Sequence, residues 1–413
     1  MKEYSTEDSI LYTNDEQILL FMHLLKDLHK KNFFYEELLE NVNFSQPNEN
    51  FLDIYAMLPE ITKNIIKNNY EKYISEGFNS SVTSVELTSG TTGIPMRCIK
   101  TLGERKIKAL NIWSQRKKHD ESLRPENFYD LLGKSRLNSI DFTNTQSDNM
   151  KQIMLYLKEV SPTWLCSSPS LIYRYAQFLD ENPRFKQSSI NFIELQGESM
   201  SKEKRVYVEN IFNAKTIMNY GNRESWCIAY ECPHGHLHVM DKLCMLEAKR
   251  RPGEDDESEI IITDLINRIM PFVRYNTGDV GKVEEFDVCE CGKVDGINIT
   301  LTEGRAALYI KGHPNLIGNL VFKRIVHNVI RSRNKDATII NSFKVVQKTC
   351  NDFVYFIVLG HNGKKIKNEI EKEIISLTQN MINDAKVKVD FVDYIPLSTS
   401  GKSVLFEIDE NYK

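Results

Sequence analysis

The ten residues TSGTTGIPMR, Thr88 to Arg97, hold two glycines, four hydroxyls and a proline. Glycine gives a loop access to positive φ and lets a ligand come close to the backbone. Successive N–H groups in such a loop can turn inward and cradle an anion, usually a phosphate. Thr88, Ser89, Thr91 and Thr92 add hydroxyl donors around Gly90 and Gly93. No Gly-Lys-Ser/Thr closes the segment, so it is not a Walker A loop. A polar turn between strands is the plainer alternative. A second group of reactive side chains lies further on. Cys232 precedes His234, His236 and His238 in ECPHGHLHV, and Cys289 and Cys291 form CEC before Gly292. Three thiols and one imidazole make a tetrahedral zinc set, and spacing alone admits any of the three histidines. Free surface thiols are the competing reading. Cys98, Cys166, Cys227, Cys244 and Cys350 are scattered and read as buried or free thiols in a reducing compartment.

The elements that must position these groups follow from pattern. SVTSVEL (81–87) alternates with β-branched residues and predicts a strand running into the Gly/Thr loop. Residues 1–80 read as mostly helical, with ILLFMHLL from Ile18 as a buried stripe too short to span a bilayer. LPEITKNIIKNNYEKYISEG reads as turn, helix and glycine stop. From Val82 to Val283 strands and helices alternate, which favours an α/β architecture. RRPGEDDESE (250–259) is a solvated loop or hairpin tip by composition. After TEGRAALYIKG the pattern restarts as helix, strand pair, helix and a final strand KVKVDFVDYIPL. These divide the chain into a large domain over 1–303, with 1–80 its helical N-terminal part, and a small mobile α+β domain over 304–413. At 413 residues with 41% hydrophobic and 27% charged residues, the composition is that of a globular protein. A net charge of −4 gives no reason to expect nucleic acid as partner, and no membrane is expected. The chain reads as cytoplasmic.

The Gly/Thr loop is followed in order by NYGNRES (219–225), RYNTGD (274–279), EGRAALYIKG (303–312) and PLSTSGK (396–402). In these motifs the chain resembles the adenylate-forming superfamily of acyl-CoA synthetases, adenylation domains and luciferases. LPEITK, LQGESM, EIIITDL, MPFVRYNTGD and the Cys/His group resemble its phenylacetate–CoA ligase-like branch. The resemblance covers about residues 58–402 and implies a two-step reaction. A carboxylate attacks the α-phosphate of ATP, releasing pyrophosphate and leaving an acyl-adenylate bound with AMP as leaving group; a thiol then takes the acyl group. Two anions meet in the first step, so positioning and charge neutralisation dominate.

The resemblance assigns roles residue by residue. Thr88, Ser89, Gly90, Thr91, Thr92 and Gly93 would hold the β- and γ-phosphates. Glu224 would bind Mg²⁺. Tyr220 would stack on adenine with Gly221 beside it, and Glu198 in GES would lie near the adenine pocket. Asp279 would accept hydrogen bonds from both ribose hydroxyls, since a carboxylate is acceptor-only. Arg274, Asn276 and Thr277 would support it. Arg305 would contact ribose or phosphate at the hinge, and Lys402 would bridge the substrate carboxylate and α-phosphate as a point charge. The related branch carries Cys…Gly-x-His and then Cys-x-Cys-Gly, which implies Cys232, His238, Cys289 and Cys291 as a structural Zn²⁺ set.

Four positions depart from the pattern. Met96, followed by Arg97, stands where a lysine often follows the loop proline. Arg223 replaces the Thr/Ser before the motif glutamate, Ala306–Ala307–Leu308 replaces an acidic hinge, and Leu405 replaces an arginine. Glu224, Asp279, Arg305 and Lys402 remain, so the resemblance implies a divergent, working ligase for an aryl or small carboxylic acid. The acceptor would be the pantetheine thiol of CoA or of a carrier protein in a biosynthetic pathway. Transfer to another nucleophile, giving an ester or amide, is a second reading. A silent nucleotide-binding scaffold of the same fold is a third. WLCSSPSLIYRYAQFL (164–179) is expected to wall the acid pocket. Related enzymes often form dimers, so a homodimer is allowed.

Overall fold

The computed structural model describes residues 2–5, 8–44, 51–87, 96–131, 136–137, 140–142, 147–251, 254–303, 309–333, 339–396 and 404–412. Two compact units emerge. The first comprises Met1–Pro125, Glu194–Gly197 and Ile217–Arg305; the second comprises Glu126–Ile193, Glu198–Thr216 and Ala306–Lys413. The architecture is mixed α/β, with a large sheet and helices interleaved.

In the first unit the strands Lys2–Ser5, Ser9–Thr13, Cys244–Arg251, Glu254–Asp264, Tyr275–Val288, Val294–Glu303, Leu237–Val239, Trp226–Glu231 and Lys215–Asn222 stand in that spatial order. The pairings given for them are antiparallel. The helix Asp15–Lys31 opens on a capping box between Asn14 and Gln17 and turns Ile18, Phe21, Met22, Leu24, Leu25 and Leu28 inward. These pack with Ile260, Ile262, Phe272 and Tyr275 in one core.

The helix Leu102–His119 is the exception to apolar-in patterning. A capping box between Thr101 and Glu104 starts it, and its buried residues are Glu104, Lys108, Ile112 and Arg116, one per turn. Leu102, Ile107 and Leu110 face outward instead. Its inner stripe is therefore largely ionic; Glu104 accepts from the Thr101 and Arg268 N–H groups at 2.7 and 2.8 Å, and the partners of Lys108 and Arg116 are described below.

Three differences from the sequence reading have local causes. The chain opens with two strands before its first helix; at four and five residues they are too short to show a period. Helix and strand do not alternate as far as Val283: seven strands run from Lys215 to Glu303 with no helix among the described residues. Most of the links there are turns of a few residues, and Gly235 and Gly292 supply positive φ of 87° and 85°. The segment 58–77 makes two short helices, Lys63–Asn68 and Tyr70–Tyr73, and not one.

In the second unit, Phe128–Asp130 and Trp164–Ser167 pair in parallel. Ser168 caps the helix Pro169–Glu181, whose Pro169 sits in the first turn. A four-stranded sheet ordered Lys386–Phe391, Asp352–Leu359, Ile340–Gln347, Phe406–Ile408 closes the unit. The helices Gly318–Arg331 and Lys367–Met381 share a core with it through Phe322, Ile325, Ile370 and Ile374. The short strand Phe406–Ile408 was not legible in sequence. It pairs in parallel with Ile340–Gln347. No helix among the described residues is long and apolar enough to cross a membrane.

Candidate functional site

Two motifs of the first unit interlock. The strand Lys215–Asn222 carries Tyr220 and Gly221, and its pairing with Trp226–Glu231 shifts register between them. A Cβ on Gly221 would come within 1.5 Å of the Trp226 carbonyl oxygen, so only glycine fits this bulge. Asn222 accepts from the Ser225 N–H at 2.7 Å and closes the turn that presents Glu224. Trp226 completes the turn at a φ of 68°.

The second motif begins the strand Tyr275–Val288. Gly278 adopts a φ of 73°, and its N–H donates to Asn276 Oδ1 at 2.8 Å. That turn delivers Asp279. The phenols then cross between motifs. Tyr220 donates its hydroxyl to Asp279 Oδ2 at 2.9 Å, and Tyr275 donates to Glu224 Oε1 at 2.9 Å. Each carboxylate of one motif is thereby fixed by a tyrosine of the other. Glu224 is wholly buried and Asp279 and Tyr220 nearly so. A carboxylate is acceptor-only, the chemistry suited to hydroxyl donors or a cation. Arg274, at a φ of 48°, makes a bidentate pair with Glu247 at 2.8 and 3.0 Å and serves the frame. Thr277 donates to the Ile260 carbonyl at 2.7 Å and also holds the frame.

Glu198 belongs to the second unit. Its carboxylate accepts from the Ser170 N–H at 2.9 Å, at the start of the helix Pro169–Glu181. Thr88, Ser89, Gly90, Thr91, Thr92, Gly93, Arg305 and Lys402 lie outside the described residues. The strands flanking the Gly/Thr loop are described: Thr83–Leu87 pairs antiparallel with Arg97–Thr101. Met96 is buried and Arg97 exposed.

Three cations that the sequence reading passed over support these motifs. Lys100 donates to the Arg223 carbonyl, and Lys108 to the Ser225 carbonyl at 3.1 Å and to Asp264. Arg116 grips Glu194 through both oxygens, at 2.7 and 2.9 Å. Asn219, Gln196 and Tyr230 also donate to Glu194, at 2.8, 2.6 and 2.9 Å. Burial would push this carboxyl up, but Arg116 and the surrounding donors outweigh it and hold the group at about 2. The network fixes Asn219, the residue before Tyr220. A sequence signal existed: Glu104, Lys108 and Arg116 recur at multiples of four residues, the spacing of one helical face.

A separate cluster forms where two tight turns face each other. One closes from the Gly235 N–H to the Cys232 carbonyl at 2.9 Å, the other from the Gly292 N–H to the Cys289 carbonyl at 2.9 Å. Ligating atoms of Cys232, His238, Cys289 and Cys291 all lie within 4.8 Å of one another. Cys232 Sγ is 3.9 Å from Cys289 Sγ, and Cys291 Sγ is 3.4 Å from His238 Nε2. A tetrahedron built on Zn–S near 2.3 Å and Zn–N near 2.0 Å has edges of about 3.5–3.8 Å, so the donors fit that ion. Burial, with Lys293 adding to it, holds His238 down at about 4 and keeps its ring neutral, the form that ligates. Asn298 stands opposite His238 across the sheet. Of the other two histidines, His236 borders the cluster with its Nδ1 3.3 Å from Cys289 Sγ, and His234 pairs with Glu290 at 2.9 Å.

No protein-family model matches the sequence. The protein CapK of Staphylococcus aureus is 24% identical over 396 residues, covering 91% of this chain and 84% of that protein. Among solved structures, 2-hydroxyisobutyryl-CoA ligase in the postadenylation state superposes with a TM-score of 0.69 at 13% identity, over 96% of this chain and 89% of that one. The anthranilate CoA ligase AuaEII bound to anthranoyl-AMP gives 0.51 at 13% identity, over 77% and 64% of the two chains. The amide bond synthetase McbA of Marinactinospora thermotolerans gives 0.50 at 15% identity, over 79% and 69%. At these identities the likeness is one of fold.

Proposed function

We propose that this chain, which has the fold of the adenylate-forming enzymes, is an ATP-dependent acid ligase. It activates an aryl or small carboxylic acid as the acyl-adenylate, releases pyrophosphate, and passes the acyl group to a pantetheine thiol of CoA or a carrier protein. The observation that carries the reading is the crossed pairing of Tyr220 with Asp279 and Tyr275 with Glu224. It brings an acceptor suited to ribose hydroxyls and an acceptor suited to Mg²⁺ into one locked frame.

In this reading Asp279 binds the ribose. Glu224, a hard oxygen donor, is the protein ligand of Mg²⁺, which when bound neutralises charge on the phosphates. Tyr220, fixed by its hydroxyl, offers its ring to adenine beside Gly221, and Glu198 borders the adenine pocket. The Gly/Thr loop from Thr88 to Gly93 cradles the β- and γ-phosphates, Arg305 contacts ribose or phosphate, and Lys402 stabilises the charge developing between carboxylate and α-phosphate. Residues 1–303 form the large domain and 304–413 the small lid. The cluster of Cys232, His238, Cys289 and Cys291 holds a structural Zn²⁺, since four protein donors leave no open position for chemistry. The protein acts in the cytoplasm, and a homodimer is compatible with the reading.

The test is pyrophosphate release with ATP, Mg²⁺ and a panel of aryl, short-chain and amino acids. One acid should give a strong signal that Lys402→Ala abolishes, and CoA or a carrier protein added next identifies the acceptor. A protein that binds no ATP refutes the reading.

A further inference from the structure

We propose that Lys100 is a positioning residue for the nucleotide's magnesium, locking the hairpin that carries the Gly/Thr loop onto the loop that carries Glu224. The inference deepens the ligase reading and rests on it. Lys100 lies on the strand Arg97–Thr101, which follows the Gly/Thr loop in sequence, and its side chain is wholly enclosed. A lysine is almost never fully buried unless its charge is matched, and an apolar side chain of that volume would be the cheaper filling. Here the ammonium donates to the carbonyl of Arg223, the residue before Glu224, and stands 3.8 Å from Glu86 of the facing strand. Glu86 in turn accepts from the Trp226 indole N–H at 3.0 and 3.2 Å. The hairpin thus holds the Glu224 turn at the residue before the carboxylate and again two residues after it.

The opposite side is held independently. Lys108, from the helix Leu102–His119, donates to the carbonyl of Ser225 and to Asp264. The peptide carbonyls on both sides of Glu224 are therefore bonded to buried ammonium groups from two different elements. With the peptide before Glu224 and the carbonyl of the residue after it both held, the Cα–Cβ direction of Glu224 is restrained, and Tyr275 fixes its carboxylate. Mg²⁺ demands near-ideal octahedral geometry and tolerates little displacement of a carboxylate ligand. Lys100 thereby ties the Glu224 turn to the strand Arg97–Thr101.

The test is ATP affinity by calorimetry with Mg²⁺ and with chelator, a readout that needs no acid substrate. Wild-type protein should bind ATP more tightly with Mg²⁺, and Glu224→Gln should lose that gain. Lys100→Met should lose at least tenfold of the gain while keeping its chelator-condition affinity. Trp226→Phe, which removes the Glu86 anchor without burying a charge, should lose a smaller part and carries the test if Lys100→Met does not fold. Folded Lys100→Met or Trp226→Phe with the full Mg²⁺ gain overturns the inference and leaves the ligase reading intact. Wild-type protein with no ATP affinity in either condition overturns the ligase reading itself.

Discussion

Removing the arginine that neutralises Glu194 should cost far more than removing the pair. Glu194 is completely enclosed, and five donor contacts from Arg116, Asn219, Gln196 and Tyr230 saturate its two oxygens. Its carboxyl sits at about 2 against an ordinary 4.5. At 1.36 kcal/mol per unit, that gap is worth about 3 kcal/mol of folding free energy. The folded-state value is depressed, so the contribution is fully present above the ordinary carboxyl range and is lost as pH falls towards 2. Arg116→Met leaves a buried charge without its partner, a change of about 3–5 kcal/mol. Arg116→Met combined with Glu194→Gln removes both charges and should cost less than the single change. The assay is urea unfolding followed by tryptophan emission, because the Trp113 ring lies 5.1 Å from the guanidinium. Run as a pH series, wild-type protein should lose stability through the acid limb, and Glu194→Gln should lack that component. Equal losses in Arg116→Met and the double variant would refute the argument. So would an acid limb in Glu194→Gln as steep as in the wild type.

Other outcomes follow from the same geometry. Asp279→Asn should raise the KM for ATP by at least tenfold in pyrophosphate exchange, with Tyr220→Phe giving a smaller rise, since one hydrogen bond is worth about 1 kcal/mol; equal effects would place the ribose contact elsewhere. Cys289→Ser should reduce bound zinc from about one ion per chain to near none by elemental analysis, and chelation of wild-type protein should lower its melting temperature, as expected of a closed structural site. Arg174→Ala should slow adenylate formation. Its guanidinium donates to the Ile395 carbonyl at 2.7 Å, just ahead of the segment that leads to Lys402. An unchanged rate of pyrophosphate release would deny Arg174 any part in placing that segment.

The parts of this site that sequence made legible are those set by local chemistry. Gly221 and Gly278 must be glycines for a close approach and a positive φ, and they flank the carboxylates that motif order singled out. The Cys/His group was legible from its residue types, but spacing admitted three histidines and only the family resemblance singled out His238. The supporting cations were not. Lys100, on a strand, and Lys108 and Arg116, on a helix, were passed over, because a basic side chain looks the same in sequence whether it meets water or a carboxylate. What decides it is Glu86 on the facing strand and Asp264 and Glu194 on distant ones, and one-dimensional periodicity carries no information about pairings 156 or 78 residues apart. The crossed tyrosines were missed for the same reason: each phenol's acceptor belongs to the other motif.

The two strands that open the chain have a practical consequence. Ser9–Thr13 lies against Cys244–Arg251, and Lys2–Ser5 covers Ser9–Thr13 in turn. Cys244–Arg251 begins with five buried residues, CMLEA. Deleting the first thirteen residues would turn that strand into a bare apolar rim with a free row of N–H and C=O groups, a template for self-association. Chains trimmed there should precipitate or form higher-order species even with Glu224, Asp279 and their tyrosine partners intact.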